Sequence, residues 1–148
     1  MSKIEQKLNE MGIELKELGP CSHPILRTKQ CGDLLFVSGH GTNILGKVGA
    51  DLTLEEGYQA AREATINCLS AIKGQIGDLD QVADFLKVFG MVNSAPDFVE
   101  QPSVINGVSD LLIEVFGEKI GSHARSAVGM VSLPRGIAVE VEMIVRIK

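Results

Sequence analysis

Apolar residues recur at helical spacing in three stretches of the chain, which predicts three amphipathic helices. Their apolar positions are, in chain order, Ile4, Leu8 and Met11; then Tyr58, Ala61, Thr65, Cys68, Leu69 and Ile72; and finally Val104, Val108, Leu111, Leu112 and Val115. The first helix is predicted to start at Ser2 and Glu5 and to end at Gly12. The second starts at Thr53 and Glu56 and ends at Gly74 or Gly77, and the third starts near Pro102 and ends at Gly117. Ser or Thr three residues before Glu is typical of a helix start, and glycine of a helix end.

Other segments alternate apolar and polar residues or are rich in β-branched and aromatic residues, which predicts strands. These segments are residues 13–18, 25–30, 34–38, 82–92, 126–132 and 137–147. The turn Leu133-Pro134-Arg135-Gly136 predicts that the last two strands form a β-hairpin. Gly39-His40-Gly41 follows residues 34–38, so we expect the backbone there to turn sharply or to admit a ligand closely.

This order of elements predicts an α+β fold, in which two main helices pack on one face of a mixed sheet. In residues 137–147, the face with Val139, Val141 and Met143 suits the helices, whereas the face with Glu140 and Glu142 is mixed in character. No segment of the chain remains to cover the mixed face. We therefore expect a closed oligomer that buries it.

Composition and charge narrow the classes of partner. A chain of 148 residues with 45% hydrophobic and 22% charged residues has the size and balance of one globular domain, residues 1–148, with residues 1–20 as an N-terminal extension. The net charge of -5 and the lack of a basic run argue against nucleic acid and anionic membranes as partners. No apolar segment has the length of a membrane span, and the N-terminus does not resemble a secretory signal. These features predict a cytoplasmic protein.

The three cysteines are Cys21, Cys31 and Cys68, an odd number without a CxxC pair. In a reducing compartment they are expected to be buried or half-buried thiols. A zinc site formed by Cys21, His23, Cys31 and His40 is the alternative, but structural zinc sites favour closely spaced ligand pairs, which this set lacks. We therefore expect no metal site.

Two motifs carry a family resemblance. The segment Leu34-Leu35-Phe36-Val37-Ser38-Gly39-His40 is similar to the first strand of the RidA (YjgF) family and its Ser-Gly-Gln end. Ala124-Arg125-Ser126-Ala127-Val128, Leu133-Pro134 and Val139-Glu140-Val141-Glu142 resemble the C-terminal signature of that family in residues and spacing. Asn106 lies where the family has an asparagine in its second helix. The longer segment before Asn106 is typical of a divergent branch.

The resemblance implies a chorismate-mutase-like fold that assembles as a homotrimer, with an inner β-barrel and helices outside. It also implies clefts between subunits that bind a small carboxylate substrate or ligand. The activity implied is hydrolytic deamination of reactive enamine and imine intermediates (2-imino acids) to 2-keto acids and ammonia. No cofactor, metal or organic, takes part in that chemistry.

By the same resemblance, Arg125 and Glu140 are the expected catalytic residues. The planar guanidinium of Arg125 can bind a substrate carboxylate through two parallel hydrogen bonds, and a structural ion pair is the alternative role. Glu140 would position or activate the attacking water, which favours a raised pKa. An ordinary interfacial or solvated acid is the alternative for Glu140, as its neighbour Glu142 illustrates.

Three further residues are expected to bind substrate. Ser38 and Gly39 would offer a hydroxyl and a backbone N–H to the imine or its keto product, although Ser-Gly is also common at strand ends. Asn106 is either a polar contact in the cleft or a helix-surface residue. His123 has no evident partner at fixed spacing, so a packing or surface role is expected for it.

Two departures from the family pattern leave a second function open. Ala127 replaces the cysteine found two residues after the arginine in central members, and Ile25 and Leu26 stand where they have an aromatic residue. Both changes favour a non-catalytic protein that binds a keto acid or amino acid in the same cleft. The older ribonuclease label of the family is disfavoured by the acidic net charge.

Overall fold

The computed structural model describes residues 2–22 and 24–148 and forms a mixed five-stranded sheet with helices on one face. The helices are α1 (Lys3–Glu10), α2 (Leu54–Ile76), α3 (Gln101–Phe116) and α4 (Glu118–Gly121). The strands are β1 (Thr28–Cys31), β2 (Leu34–His40), β3 (Val82–Asn93), β4 (Ala124–Met130) and β5 (Val139–Ile147). The predicted α+β fold with two main helices, α2 and α3, is confirmed. None of the described helices is long and apolar enough to cross a membrane.

The strand order in the sheet is β1-β2-β5-β3-β4, so β1 and β4 form its edges. Strand β3 pairs in parallel with β4 and antiparallel with β5. The predicted hairpin of the last two strands is therefore wrong. The turn after β4 does reverse the chain, with Arg135 at a φ of 58° and Gly136 at 74°, but β5 lies on the far side of β3. The turn residues specify only that the chain reverses direction. They do not specify which strand β5 pairs with, and the long strand β3 can pair along both of its edges.

The predicted strand over residues 13–18 is also absent. Ile13 and Leu15 pack against the core, and the backbone N–H of Lys16 donates to Ser70 Oγ on α2 at 3.0 Å. The alternation of apolar residues correctly indicated a half-buried segment, but this segment lies along a helix rather than in the sheet. Strand β2 continues through His40, with a register shift between Val37 and His40 instead of a sharp turn.

The two faces of the sheet differ as predicted from β5. Val139, Val141, Met143 and Val145 are buried with α2 and α3, whereas Glu140 and Ile144 are only half-buried and Glu142 is exposed. We call the second face the open face; its apolar residues include Phe36, Phe89, Met91, Val128 and Ile144. Among these, Phe36 remains 44% exposed. Within the described residues, no helix covers the open face.

The helices begin where the sequence predicts. Thr53 and Glu56 form a reciprocal capping box at the start of α2, and Ser2 Oγ accepts from the backbone N–H of Glu5 at the start of α1. Gly107 brings α3 against α2: a Cβ there would overlap the backbone oxygen of Tyr58 and lie 3.0 Å from the Cβ of Ala61. This close contact fixes the position of α3, on which part of the candidate site depends.

We predict opposite effects of the same substitution at two helical glycines. Gly107→Ala should destabilise the protein by about 1–3 kcal/mol, because the added methyl group overpacks the α2–α3 contact. Gly74→Ala, on the exposed side of α2 where a Cβ would meet no atom within 4 Å, should stabilise it by about 0.5–1 kcal/mol. Urea denaturation of both variants measures this. Stabilisation by Gly107→Ala would show that the two helices are not in close contact.

Candidate functional site

Arg125 lies on the edge strand β4 and its side chain extends to the helix side of the sheet. Its register partner on β3 is Val88, which is fully buried beneath the helices. The Nη1 group of Arg125 donates to Asn106 Oδ1 at 2.8 Å and to Ser109 Oγ at 3.1 Å, both on α3. Asn106 and Ser109 are three residues apart and therefore share one face of the helix. The guanidinium group is thus oriented by two neutral acceptors.

His123 extends this hydrogen-bonded chain. Its Nδ1 lies 2.7 Å from the carbonyl oxygen of Gly121, which can only accept, so Nδ1 carries the proton. In the neutral imidazole, Nε2 then accepts from the Ser109 hydroxyl at 2.9 Å. Because Ser109 donates its proton to His123, its lone pairs are available to Arg125. The carbonyl of Gly121 thereby helps to fix the orientation of Arg125, through His123 and Ser109.

The guanidinium of Arg125 keeps donors available for a ligand. Its described contacts use Nη1, and no acidic side chain among residues 2–22 and 24–148 forms an ion pair with it. The alternative of a structural ion pair within the chain is therefore not observed in the described part. The remaining fork of Nε and Nη2 has the geometry that binds a carboxylate through two parallel hydrogen bonds.

Glu140 projects from the open face of β5. Burial raises the pKa of its carboxyl above the usual value, the negative charge of Glu142 raises it further, and Arg135 lowers it to a smaller extent. Gly39 on β2 lies directly against this carboxyl group: a Cβ at position 39 would be 3.0 Å from both Cδ and Oε1 of Glu140. The glycine therefore leaves the space that the glutamate side chain needs.

Ser38 lies beside Gly39 and its hydroxyl donates to the carbonyl oxygen of Leu26 at 2.6 Å. It also lines a cavity of about 350 Å³ on the open face, together with Lys29, Phe36 and Lys87. Since its proton is engaged within the chain, Ser38 can offer a ligand only its oxygen lone pairs. Gly39 and Glu140 do not line this cavity, but Gly39 directly follows Ser38 and Glu140 lies two residues before Glu142, which does line it.

One protomer does not bring all five predicted site residues together. Arg125 is in register with Val88 and Glu140 with Met91, and these two β3 residues are three positions apart. Side chains alternate between faces along a strand, so Arg125 and Glu140 project from opposite faces. The structure therefore forms two half-sites: Arg125 with Asn106 on the helix side, and Glu140 with Ser38 and Gly39 on the open side.

Sequence reasoning missed the roles of Ser109 and His123. No partner of His123 could be identified at fixed spacing in the sequence, whereas in the structure its Nε2 lies 2.9 Å from Ser109 Oγ, between α3 and the start of β4. The packing or surface role expected for His123 is compatible with this contact. The spacing of Asn106 and Ser109 on one helical face was an available signal, but only the fold shows that this face meets Arg125.

The alternative zinc site gains no support from the described residues. His23 lies outside them, and no group of three or more potential metal ligands is found within them. His40 is engaged by Ser38 and Arg27 instead. Cys68 is buried and Cys21 is half-buried as expected, but Cys31 is exposed because it ends the edge strand β1.

The chain is similar to known proteins over nearly its whole length. Residues 5–141 match the family model described as "YjgF/chorismate mutase-like, putative endoribonuclease". The chain is 39% identical to Protein TCP17 of Trypanosoma cruzi over 151 residues, which covers 98% of this chain and 94% of that protein. It is 38% identical to a crystal structure of a protein of unknown function from Agrobacterium tumefaciens, with a TM-score of 0.91 over 98% of this chain and 92% of that one.

A third relative is a crystal structure of a "putative endoribonuclease" from Shewanella oneidensis. Its sequence is 29% identical, and its TM-score is 0.92 over 97% of this chain and 99% of that one. The two structures match over nearly the full length of the chain, including α1. The N-terminal segment is therefore shared with these relatives.

The raised pKa of Glu140 predicts how stability depends on pH. The folded protein binds this proton more tightly than the unfolded chain, so the free energy of unfolding falls as the pH rises through the titration of this carboxyl. Glu140→Gln cannot ionise. We expect the free energy of unfolding of this variant, relative to the wild type, to be higher at about pH 7.5 than at about pH 3.5, where glutamates are protonated.

Glu142→Gln provides the matched control. It removes the neighbouring negative charge that raises the pKa of Glu140 but leaves Glu140 able to ionise. The difference between Glu140→Gln and the wild type should therefore be smaller when both proteins also carry Glu142→Gln. A difference that does not change between the two pH values would contradict a raised pKa at position 140.

Proposed function

Because this chain belongs to the YjgF/chorismate mutase-like family, we propose that it hydrolyses reactive enamines and imines (2-imino acids) to 2-keto acids and ammonia. The observation that carries the proposal is the guanidinium of Arg125, held by neutral acceptors and free of an acidic partner among the described residues. The proposed mechanism uses only protein side chains and water. It would serve a cytoplasmic metabolism in which such intermediates escape from other enzymes.

Arg125 binds the carboxylate of the imino acid. Its fork of Nε and Nη2 accommodates both carboxylate oxygens, while Asn106 and Ser109 hold Nη1 and prevent the group from rotating. Orientation of the substrate lowers the barrier because the imine carbon is already electrophilic. Asn106 thus acts as a positioning residue that holds Arg125. The sequence had led us to expect a direct contact between Asn106 and the substrate.

Glu140 activates the water. Its raised pKa brings it closer to the range in which a carboxylate can remove and return a proton. As the water oxygen bonds to the carbon of the protonated imine, Glu140 takes a proton from that water and the electron pair of the C=N bond moves to nitrogen, which gives a neutral carbinolamine. Glu140 then returns its proton to the amino nitrogen, the C–N bond breaks as ammonia leaves, and the hydroxyl group loses its proton to water to form the keto group.

Ser38 and Gly39 complete the half-site of Glu140. The oxygen lone pairs of Ser38 can accept a hydrogen bond from the imine N–H, since its own proton is donated to Leu26. Gly39 lacks a side chain that would displace the carboxyl group of Glu140. The backbone N–H of Gly39 would bind the keto product.

The complete site requires a second protomer. Arg125 and Glu140 project from opposite faces of one sheet, so a single ligand can contact both only if each comes from a different copy. Two features support such an assembly: the partly apolar open face, and the edge strand β4, whose outer backbone groups have no partner strand in the described chain. We propose a homotrimer in which the open faces form the inner barrel.

A stable-ligand binding protein is the second candidate. Ala127 packs against the main core on the same side as Arg125, and Ile25 is 62% exposed where central family members carry an aromatic residue. These differences change the walls of the cleft without removing the arginine. Calorimetry with pyruvate and serine, combined with the imine assay, separates the two functions: binding without turnover supports this candidate.

We predict that Arg125→Ala lowers kcat/KM for freshly generated 2-iminopropionate by at least about 30-fold, since truncating one partner of a desolvated charged pair costs about 2–5 kcal/mol. Arg125→Lys keeps the charge but loses the fork, so it should retain only part of the activity. Ser109→Ala should have an intermediate effect, because it releases one of the two acceptors of Nη1. The rate of keto-acid formation above that in buffer is the measurement.

Arg62→Ala is the matched control, because Arg62 is paired with Glu114 at 3.2 Å on the outer surface of the helices. It should leave kcat/KM unchanged. A wild-type rate equal to that of buffer, or an undiminished rate in Arg125→Ala, would refute the deaminase proposal.

We further predict that two inactive variants restore each other. If Arg125 and Glu140 come from different protomers, trimers assembled at random from equal amounts of Arg125→Ala and Glu140→Ala have about one intact site in four overall, and about one in three within the mixed trimers. Co-refolding equal amounts of the two variants should then give about a quarter of the wild-type activity. No recovery in verified mixed oligomers would show that both residues serve the same protomer or that one is dispensable.

A further inference from the structure

A cleft of about 840 Å³ lies on the helix side of the protein, and it adjoins the half-site of Glu140, because the carbonyl oxygen of Leu26 in its lining accepts from the Ser38 hydroxyl. One wall consists of residues 15–21 and 24–28, which precede and enter β1, and the other is the C-terminal part of α2. None of Arg125, Asn106, Ser109 and Glu140 lines it. Its volume is in the range of small-molecule sites, about 300–1,000 Å³.

Arg27 supplies a charge to this cleft that the described residues do not neutralise. Its Nε donates to the carbonyl oxygen of Gly19 at 2.7 Å, and its Nη1 lies 3.3 Å from Nε2 of His40. No acidic side chain of the described residues forms an ion pair with Arg27. Neither of these contacts uses the Nη2 group, and Arg27 is part of the cleft lining.

His40 does not balance this charge, because an imidazole carries either no charge or a positive one. Its Nδ1 donates to the carbonyl oxygen of Ser38 at 2.7 Å, so Nε2 is the acceptor for Arg27. Burial lowers the pKa of His40, and the positive charge of Arg27 lowers it further against the opposing effect of the bond to Ser38. A half-buried guanidinium with two neutral partners favours an anion from outside the chain.

The rest of the cleft is largely apolar. Leu15, Leu18, Ile25 and Leu26 line it, and the last two are 62% and 57% exposed. Among its charged lining residues, basic side chains outnumber acidic ones: Lys16, Arg27 and Lys73 against Glu17. Lys73 is already paired with Glu5 at 3.5 Å, which leaves Arg27 as the cation with a fixed orientation.

We propose that this cleft binds an organic anion that has one carboxylate and an extended apolar chain. The carboxylate contacts Arg27, and the chain covers the exposed side chains of Ile25 and Leu26. A keto acid of three or four carbons is too small to fill such a cleft, so this ligand class differs from that of the proposed deaminase site. The proposal is independent of that activity.

The cysteines allow a direct test in the whole protein. Cys21 lines the cleft, Cys31 is exposed on β1 outside it, and Cys68 is fully buried. The rate at which iodoacetamide alkylates each thiol is measured by peptide mass spectrometry, with and without sodium decanoate below its micelle concentration. We expect decanoate to slow the alkylation of Cys21 several-fold and saturably, with no change at Cys31. Pyruvate at the same concentration should protect neither.

Three variants locate the ligand. Arg27→Gln should raise the decanoate concentration for half-protection at least about tenfold, because it removes a charge-assisted hydrogen bond to the carboxylate. Leu26→Ser should weaken protection without disturbing the hydrogen bonds of Arg27, and so covers the case in which Arg27→Gln alters the local fold. Arg125→Gln should leave protection unchanged.

Each contrary outcome would overturn the proposal. These are equal protection of Cys21 and Cys31, protection by pyruvate, wild-type protection in both Arg27→Gln and Leu26→Ser, or loss of protection in Arg125→Gln. Cys21 that is as unreactive as Cys68 without decanoate would overturn it as well, because the cleft would then be filled by another copy of the chain.

Discussion

The packing of α2 and α3 on a single face of the sheet is the constraint on which the rest of the structure depends. It buries one set of side chains from β3 and β5 and leaves the alternate set on the open face. Arg125 belongs to the first set and reaches α3, whereas Glu140 belongs to the second. The distribution of the two chemical groups follows from this asymmetry, which is why the proposed mechanism combines them from two protomers.

The helices and the two faces of β5 could be predicted because their signals are local. Capping residues and the spacing of apolar positions determine α2 within one continuous segment, and alternation along β5 determines which residues are buried. Which strands lie next to each other cannot be predicted from such local signals, because it depends on the edge of β3 with which each strand pairs. The residues of the turn after β4 contain no information on that choice, which explains the incorrect hairpin.

The candidate site shows the same division between local and long-range information. Its charged residues, Arg125 and Glu140, could be proposed from motifs, but their separation depends on the register of two strands with β3. Likewise, Ser109 and His123 are 14 positions apart and meet only because β4 begins beside α3. Their contribution to the orientation of Arg125 was therefore inaccessible from the pattern of either segment alone.

Arg125 and Arg27 are both held by neutral acceptors, and this has a common physical consequence. A carboxylate partner within the chain would orient a guanidinium equally well, but it would also compete with an incoming anion for the same donors. Amide, hydroxyl, imidazole and carbonyl acceptors fix the group while leaving its charge unbalanced. In a chain with a net charge of -5, such arginines are local positive sites whose ligand affinity does not depend on displacing an internal partner.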